Sequence, residues 1–290
     1  MEWKNIDEKL IRRGEIILAL EFVDDYAAEL QAMNRDKVGH PYILAKSYIE
    51  FLAIIHYLFD VPYRQLEGFT IALKRLIPKL PSGDYSGLRK RIIRLDFSPY
   101  KELKGSDTPM VIAVDSTGIK VHKAGDWIKQ AHGMRKHYIK IHFAVNVETK
   151  EIVAMEITRD NVHDSKVFPK LLKKAEKNGK VVKVIADGAY DTAKIHKLLE
   201  SKGIYAAIKL RRNSRLDTPS EARRKNVSLY RGIGYRAWTK LKGYGKRWSV
   251  ETVYSSFKRI FGEFCLANIP KNIKKELFAK AFIYNMLVNL

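Results

Sequence analysis

Two short apolar runs, each followed by an aspartate, constrain most strongly how this chain of 290 residues can fold. Residues 110–114 are all apolar and precede Asp115, and residues 181–186, with one lysine among them, precede Asp187. Continuous apolar runs of this length are typical of strands that are buried on both faces of a sheet. Open α/β sheets carry their sites at the carboxyl ends of such strands. We therefore expect each aspartate to stand at the C-terminal end of a buried strand.

The pattern around the two runs predicts an α/β fold with a mixed sheet flanked by helices. Strand-like segments also occupy residues 118–122, 138–147, 151–158 and 205–208, and Glu148 to Lys150 is a good hairpin turn. Helical segments are expected at about 165–177 and 192–202. Alternation of helix and strand after residue 160 favours parallel strands joined by helices.

A third acid lies near the C-terminus within a regular pattern of polar side chains. Tyr244, Arg247, Glu251 and Lys258 follow one another at spacings of three, four and seven. On a helix these positions fall within an arc of roughly 60°, whereas the apolar side chains between them point to a different sector. We expect one helix that packs by one side and presents all four groups on the other. Oxygen ligands from Asp115, Asp187 and Glu251 would suit magnesium or manganese.

These residues make the chain resemble the DDE transposases. Asp115, Asp187 and Glu251 match the three acids of that family, and the spacing from Tyr244 to Lys258 matches the Y-R-E-K signature of insertion-sequence transposases of the four and five type. Further matches are the segments 187–191 (DGAYD) and 161–164 (NVHD), and the resemblance extends over residues 38–290.

The resemblance implies a ribonuclease H-like catalytic fold and metal-dependent DNA cleavage and strand transfer. Asp115, Asp187 and Glu251 would be the catalytic acids and the ligands of two Mg²⁺ or Mn²⁺ ions per site. Arg247 and Lys258 would hold phosphates of the DNA end, and Tyr244 would donate to a phosphate or pack beside it. The partners would be double-stranded DNA, both terminal inverted repeats and target, and a second copy of the chain, because transposition brings two ends together.

Other positions in the catalytic half have less specific interpretations. Each acid taken alone would more often be a turn or surface residue. His163 and Asp164 stand before a predicted helix and are left outside the metal set, with Asp164 or Ser165 as a helix cap. Trp238 would stack on a flipped base if it resembled an aromatic of some relatives, but a core or surface tryptophan is the more common role.

The N-terminal region predicts a helical domain that resembles a helix-turn-helix. Helices are expected at 5–33 and 41–58, a third begins after Pro62, and Asp84 caps a fourth. The segment 61–95 would bind terminal repeats through four basic residues of the fourth helix: Arg89, Lys90, Arg91 and Arg94. A merely solvated basic face is the alternative. We place the helical region at 1–105 and the catalytic domain at 106–290, with a basic insertion at about 210–243.

The distribution of charge agrees with a polyanionic partner. The formal net charge is +22. Residues 106–290 hold 37 basic and 17 acidic side chains, and residues 209–259 hold 15 basic and 3 acidic ones. Phosphate contacts supply most sequence-independent affinity for DNA. Charge alone also fits a lysine-rich soluble protein, so the acids carry the prediction.

Several other classes of protein are disfavoured by the sequence. Cys265 is the single cysteine, which excludes an internal disulfide and thiolate zinc motifs, and the spacing of His122, His132, His137 and His142 is unusual for zinc. No phosphate-binding loop or dinucleotide fingerprint is present, so no nucleotide cofactor is expected. Without a signal peptide or an apolar span, we expect a cytoplasmic, nucleoid-associated prokaryotic protein and no membrane partner.

Two alternative functions remain open at this point. A ribonuclease H-like DNA nuclease without strand transfer would share all three acids, and only a strand-transfer assay separates it from a transposase. A non-enzymatic DNA-binding regulator derived from a transposase would keep the basic surface but would have no need for Asp115, Asp187 and Glu251 together.

Overall fold

The computed structural model of the protein describes residues 3–100, 103, 108–121, 138–211, 213–267 and 269–290. The chain divides into two compact units, one of residues 1–98 with 275–288 and 290, the other of residues 99–274 with 289. In this division the first unit ends at residue 98 and also includes most of the last helix, and the expected boundary between residues 105 and 106 stays a prediction. The roles of the two regions in DNA binding and catalysis stay predictions.

The first unit is helical. Its helices are α1 (Trp3–Glu15), α2 (Tyr26–Asn34), α3 (Lys46–Leu58), α4 (Tyr63–Leu76) and α5 (Tyr85–Arg94). As expected, α4 follows Pro62 and the Asp84 carboxylate caps α5, accepting from the main-chain N–H groups of Ser86 at 3.0 Å and Gly87 at 2.9 Å. The predicted third and fourth helices are therefore confirmed.

The predicted helix over 5–33 is wrong, and that over 41–58 begins too early. Two 3₁₀ turns at residues 16–18 and 21–23 interrupt the first, where Phe22 packs against Tyr48 at 5.5 Å between ring centroids. Residues 41–45 are not helical, and the Tyr26 hydroxyl donates to the carbonyl of Ile43 at 2.7 Å. Tertiary packing thus overrides the helical spacing of apolar residues in both segments.

The second unit contains a mixed sheet, as the sequence predicts. Its strands are β1 (Met110–Val121), β2 (Tyr138–Asn146), β3 (Ile152–Arg159), β4 (Val181–Ala186), β5 (Tyr205–Ile208) and β6 (Phe264–Cys265). The order is β3-β2-β1-β4-β5, and β6 pairs with the end of β1. Strands β1, β2 and β3 are antiparallel neighbours, whereas β4 is parallel to both β1 and β5. This is the ribonuclease H-like arrangement expected from the sequence.

Three helices pack on the sheet, α6 (Asp164–Lys177), α7 (Ala193–Ser201) and α9 (Trp248–Phe261), and α8 (Glu221–Lys242) packs against α7. Most of the last helix, α10 (Pro270–Asn289), belongs to the first unit. On one side of the sheet, Phe168 of α6 and Leu199 of α7 pack in a core cluster with Val114 and Ala186. On the other, Phe257 of α9 packs against Phe143 of β2 at 5.4 Å between ring centroids.

The expected basic insertion has its own helical structure. Helix α8 lies within it, begins after Ser220, whose hydroxyl accepts from the N–H of Arg223, and bends at Gly234, where φ is +74°. Only glycine adopts this backbone conformation without strain. In the described part of the chain, no helix is long and apolar enough to cross a membrane.

Candidate active site

Strand register places Asp115 and Asp187 side by side on one face of the sheet. Val114 pairs with Ala186 in the parallel ladder, and both side chains belong to the core cluster with α6 and α7. Successive side chains in a strand point to opposite faces, so the next residue of each chain turns toward the face that α9 covers. Neighbouring strands lie about 4.8 Å apart. The two carboxylates therefore share a small region between the sheet and α9.

Asp187 follows the last residue of β4, as expected, but Asp115 does not end its strand. Strand β1 continues to Val121, and Asp115 pairs with Phe143 of β2 in the antiparallel ladder. The prediction of a strand end at Asp115 is wrong because residues 116–120 go on pairing with β2 after the parallel pairing with β4 has stopped at Val114. Asp115 thus lies where β1 loses its β4 neighbour, which opens a gap beside its side chain.

Glu251 reaches the same region from the first turn of α9. Residues Val250, Val253 and Phe257 are buried as predicted, and Glu251 is exposed. The expectation that Tyr244, Arg247, Glu251 and Lys258 share one helix face is wrong, because Tyr244–Arg247 form a 3₁₀ turn and α9 begins at Trp248. This tighter turn, which follows the left-handed Gly243 (φ +56°), rotates Tyr244 into the interior.

Arg247 joins two of the three acids. Its Nη1 donates to Asp115 Oδ2 at 3.0 Å, and its Nη2 donates to Glu251 Oε1. The side chain is 23% exposed, so solvent reaches it. The guanidinium therefore acts as a positive bridge between the strand-borne acid and the helix-borne acid.

The Asp115 carboxyl resists ionisation in this setting. Burial raises its pKa to about 6, and the negative charges of Asp187 and Asp164 act in the same direction. The N–H of Ser116, which donates to Oδ1 at 2.8 Å, and the charge of Arg247 lower it. A carboxyl that is crowded by other carboxyls gains from additional positive charge.

Tyr254, which the sequence analysis did not single out, holds the main chain at Asp115. Its hydroxyl donates to the carbonyl oxygen of Asp115 at 2.7 Å and accepts from the N–H of Phe143 at 2.9 Å. The ring stacks on Phe143 with centroids 4.8 Å apart. The hydroxyl thereby fixes α9 to β1 and β2 at the paired residues Asp115 and Phe143. The only signal in the sequence is its position three residues after Glu251.

A fourth carboxylate and its partners stand near the acids. Asp164 Oδ1 receives Lys140 Nζ at 3.1 Å, and Nδ1 of His142 lies 3.7 Å away. Burial lowers the pKa of His142 to about 4, which keeps the imidazole neutral. His163 is the cap of α6, since its Nδ1 accepts from the N–H of Ser165 at 3.3 Å. The prediction of a cap at Asp164 or Ser165 is therefore wrong by one or two residues.

Tyr244 and Trp238 belong to a buried aromatic group beside the acids. Trp238 is fully buried, its Nε1 donates to Asn226 Oδ1 at 2.9 Å, and its ring centroid lies 5.3 Å from that of Tyr244. The prediction of a packing role for Trp238 is confirmed, because a buried ring has no free face for a flipped base. Burial raises the pKa of Tyr244 well above its usual range, so its hydroxyl stays protonated as a donor.

Lys258 lies two helical turns beyond Glu251 and pairs with a different acid. Its Nζ is 3.8 Å from Glu263 Oε1, a long ion pair that leaves the ammonium free to exchange partners. The side chain is 25% exposed. The structure places Lys258 on α9 without bringing it into contact with Asp115 or Arg247, and its predicted role in phosphate binding stays a prediction.

Asp191, four residues after Asp187, ties the basic insertion to the sheet. Arg223 of α8 makes a bidentate pair with it at 2.8 and 2.9 Å, and Ser214 donates to it at 2.8 Å. Burial opposes its ionisation, but hydrogen bonds from His196, Arg223 and Ser214 outweigh it and hold the pKa well below the usual range. The DGAYD segment therefore supplies both a candidate catalytic acid and an anchor for α8.

A basic and aromatic cleft of about 440 Å³ lies beside this anchor. It is lined by Lys209, Arg211, Arg231, Tyr230 and Tyr235, among others. Arg211 Nε donates to the carbonyl of Gly188, directly after Asp187, at 2.8 Å. The cleft therefore adjoins the turn that carries the second acid, and its charge suits phosphate groups.

The predicted DNA contacts of α5 divide into two sets. Arg89, Lys90 and Arg94 are exposed. Arg91 instead donates from Nη1 to the carbonyl of Leu44 at 2.6 Å and lies over the ring of Tyr42. Its guanidinium therefore stabilises the helical unit, whereas the other three remain candidates for DNA binding.

The acids fit a hard divalent cation by their chemistry. All three offer carboxylate oxygens, and the pKa of Asp115 is raised by burial first and by the charges of Asp187 and Asp164 second, so that a nearby cation would favour its ionised form. As their side chains stand, no three carboxylate, imidazole or thiol groups in the described ranges converge closely enough for one ion. The guanidinium of Arg247 lies between Asp115 and Glu251 instead. His122, His132 and His137 are outside the described residues.

Comparison with known proteins identifies the family. A family described as "Transposase DDE domain" matches residues 106–286, and a second family with the same description matches residues 11–124. Among solved structures, the piggyBac transposase synaptic complex with hairpin DNA aligns with a TM-score of 0.42 and 12% identity, over 94% of this chain and 73% of that one. The Drosophila P element transposase strand transfer complex aligns with a TM-score of 0.35 and 13% identity, over 98% and 71%. The first family match alone spans more than half of the chain, and the chain therefore belongs to the DDE transposases.

Proposed function

We propose that this protein is an insertion-sequence transposase of the four and five type, which binds terminal inverted repeats and catalyses metal-dependent DNA cleavage and strand transfer. The observation that carries the proposal is the convergence of Asp115 and Asp187 on the face of the sheet that α9 covers, with Arg247 linking Asp115 to Glu251. Such a cluster on rigid strands and a helix suits phosphoryl transfer, where catalysis consists mostly of positioning and charge.

Asp115, Asp187 and Glu251 would hold two Mg²⁺ or Mn²⁺ ions. When bound, such ions lower the pKa of an attacking water and stabilise charge on the leaving oxygen. The chain's own contribution is to fix the carboxylates. The main-chain carbonyl of Asp115 is held by Tyr254, and Asp187 Oδ1 accepts from the N–H of Ala189 at 2.9 Å.

Phosphates of the DNA end would be held by the cations around the acids. Arg247 can present a bidentate fork and Lys258 a point charge. Tyr244 is buried against Trp238, which favours the second of its two expected roles, packing beside the phosphate site. The basic cleft at Lys209 and Arg231 would extend this surface along the DNA, and the exposed cations of α5 would bind the terminal repeat.

The test is an assay of cleavage and joining on DNA that flanks the protein's own gene, with Mg²⁺ or Mn²⁺. We expect Asp187→Asn and Glu251→Gln each to reduce cleavage by at least about 100-fold while largely sparing DNA binding, since even groups behind metal ligands contribute 10- to 100-fold. Glu148→Gln is the matched control, because Glu148 is an exposed acid of the same unit that pairs with Lys246.

The products decide between the candidate functions. Metal-dependent joining that is lost in Asp187→Asn supports a transposase. Cleavage without joining would support a ribonuclease H-like nuclease, and specific binding with neither reaction would support a regulator. Normal strand transfer by Glu251→Gln would refute the role of that acid. Cross-linking on paired DNA ends tests the proposed homodimer.

A further inference from the structure

The position of Arg247 between Asp115 and Glu251 affects how a metal ion can bind to these acids. Its guanidinium contacts Asp115 Oδ2 at 3.0 Å and Glu251 Oε1 through its other terminal nitrogen. Asp115 and Glu251 are two of the three acids that would hold a divalent ion. A guanidinium that already bridges the two carboxylates neutralises their charge and would repel a divalent ion placed between them, so the two cations compete.

Neighbouring cations do not share this position. Lys246 Nζ lies 2.7 Å from Glu148 Oε1, and Lys258 Nζ lies 3.8 Å from Glu263 Oε1. Arg247 is also well placed to leave, because its side chain is 23% exposed and long enough to turn toward solvent without movement of the main chain. Its release would cost two charge-assisted hydrogen bonds unless another anion accepts them.

A phosphate of the DNA end is an anion suited to accept the guanidinium. Its oxygens match the fork of an arginine, as carboxylates do. If a phosphate takes Arg247, the carboxylates of Asp115 and Glu251 become free for the metal. By linkage, metal binding must then favour phosphate binding by the same factor.

We propose that Arg247 is an exchangeable counter-ion that occupies the metal position in the free protein and couples metal loading to capture of the DNA end. The inference rests on the proposed function, since it takes the three acids as the metal site. Arg247 in this role is a positioning residue: it keeps Glu251 against Asp115 before metal arrives, and it links two binding events.

The first experiment measures Mn²⁺ binding to the full chain without DNA, by electron paramagnetic resonance of the free ion. We expect Arg247→Gln to bind Mn²⁺ about 10-fold or more tightly than the wild type, because the competing cation is gone. Arg247→Lys, which keeps the charge but loses the fork, should lie between the two. Lys246→Gln removes one charge from the adjacent position and should change the affinity by less than about 3-fold.

The second experiment measures the affinity for a duplex of the element's end that already carries a free 3′ hydroxyl, with and without Mn²⁺. We expect Mn²⁺ to tighten binding by about 5-fold or more in the wild type, the lower range of allosteric coupling, and to have little effect in Arg247→Gln. Circular dichroism and thermal melting establish that each variant is folded.

The outcomes separate the inference from the proposed function. If Arg247→Gln and wild type bind Mn²⁺ equally while Asp187→Asn abolishes binding, the acids hold metal and the exchange of Arg247 is refuted. Equal coupling of Mn²⁺ and DNA in wild type and Arg247→Gln would refute it as well. If Asp187→Asn, introduced into Arg247→Gln, leaves Mn²⁺ binding unchanged, the metal site itself is elsewhere and the proposed function fails.

Discussion

Replacing Tyr254 with phenylalanine removes a single buried hydroxyl that links α9 to Asp115. The hydroxyl donates to the Asp115 carbonyl at 2.7 Å and accepts from the Phe143 N–H at 2.9 Å. The ring itself is retained in Tyr254→Phe, and with it the stack on Phe143. The substitution therefore separates the effect of the hydrogen bonds from that of the packing.

The expected cost follows from the groups that lose their partner. A buried polar group without a hydrogen bond costs about 1–3 kcal/mol. The substitution affects the carbonyl of Asp115, the N–H of Phe143 and, more weakly, the carbonyl of Ile141, which lies 3.3 Å from the hydroxyl. Partial relaxation of the two strands would recover some of this, so we expect about 2–4 kcal/mol of local destabilisation. Because about 1.4 kcal/mol corresponds to a factor of ten, amide exchange at Phe143 should accelerate by roughly 30-fold or more.

Hydrogen exchange followed by mass spectrometry on peptides that cover β2 measures this directly. Cleavage of the DNA end and affinity for Mn²⁺ should each fall by about 10-fold or more, as is typical when a group behind a metal ligand is removed. The control is Tyr235→Phe, whose ring is 45% exposed and belongs to the same unit. We expect it to leave exchange in β2 and Mn²⁺ affinity unchanged.

The reasoning would be refuted by a Tyr254→Phe protein that exchanges Phe143 at the wild-type rate and binds Mn²⁺ as tightly. A variant with faster exchange but normal metal affinity and cleavage would show that Tyr254 stabilises the strands without positioning Asp115.

Three further outcomes are expected. Asp191→Asn should lower the free energy of unfolding, measured by urea titration, by about 3–5 kcal/mol, because it leaves the guanidinium of Arg223 without its carboxylate. The control Lys225→Gln, on the same helix as Arg223, removes an exposed ion pair and should cost less than about 1 kcal/mol. A loss of less than about 1 kcal/mol in Asp191→Asn would contradict a stabilising role of the buried pair. Because the pKa of Asp191 is lower in the folded protein than in the unfolded chain, its ionised carboxylate stabilises the fold above about pH 4, and this contribution fades as the pH falls further. The loss of folded protein with falling pH, followed by circular dichroism, should therefore be less steep in Asp191→Asn than in the wild type. Replacing both Lys209 and Arg231 with glutamine should weaken binding to all DNA sequences alike. The slope of the logarithm of the binding constant against the logarithm of the salt concentration should become shallower by about 2. A loss of affinity confined to one DNA sequence would contradict a phosphate-binding cleft.

The secondary structure of the second unit was largely predictable because its local signals agree with its packing. The apolar run before Asp187 forms β4, the turn at residues 148–150 joins β2 to β3, and Asp84 caps the helix that follows it. The helix over 5–33 was not predictable, because Phe22 gains more from packing against Tyr48 than residues 16–23 gain from continuing a helix.

By itself, the sequence determined the helical character of the N-terminal region, the α/β character of residues 110–208, the family to which the chain belongs, and Asp115, Asp187 and Glu251 as candidate acids. Periodicity and apolar runs are local properties that suffice for the elements. The family and its acids follow from the resemblance of the motifs to those of the DDE transposases. Only the tertiary structure decided that Arg247 lies between Asp115 and Glu251, that Tyr254 holds the main chain of Asp115, and that Trp238 is buried. Each of these depends on contacts between segments far apart in the chain, whose distances are set by strand register and helix packing rather than by spacing along the sequence.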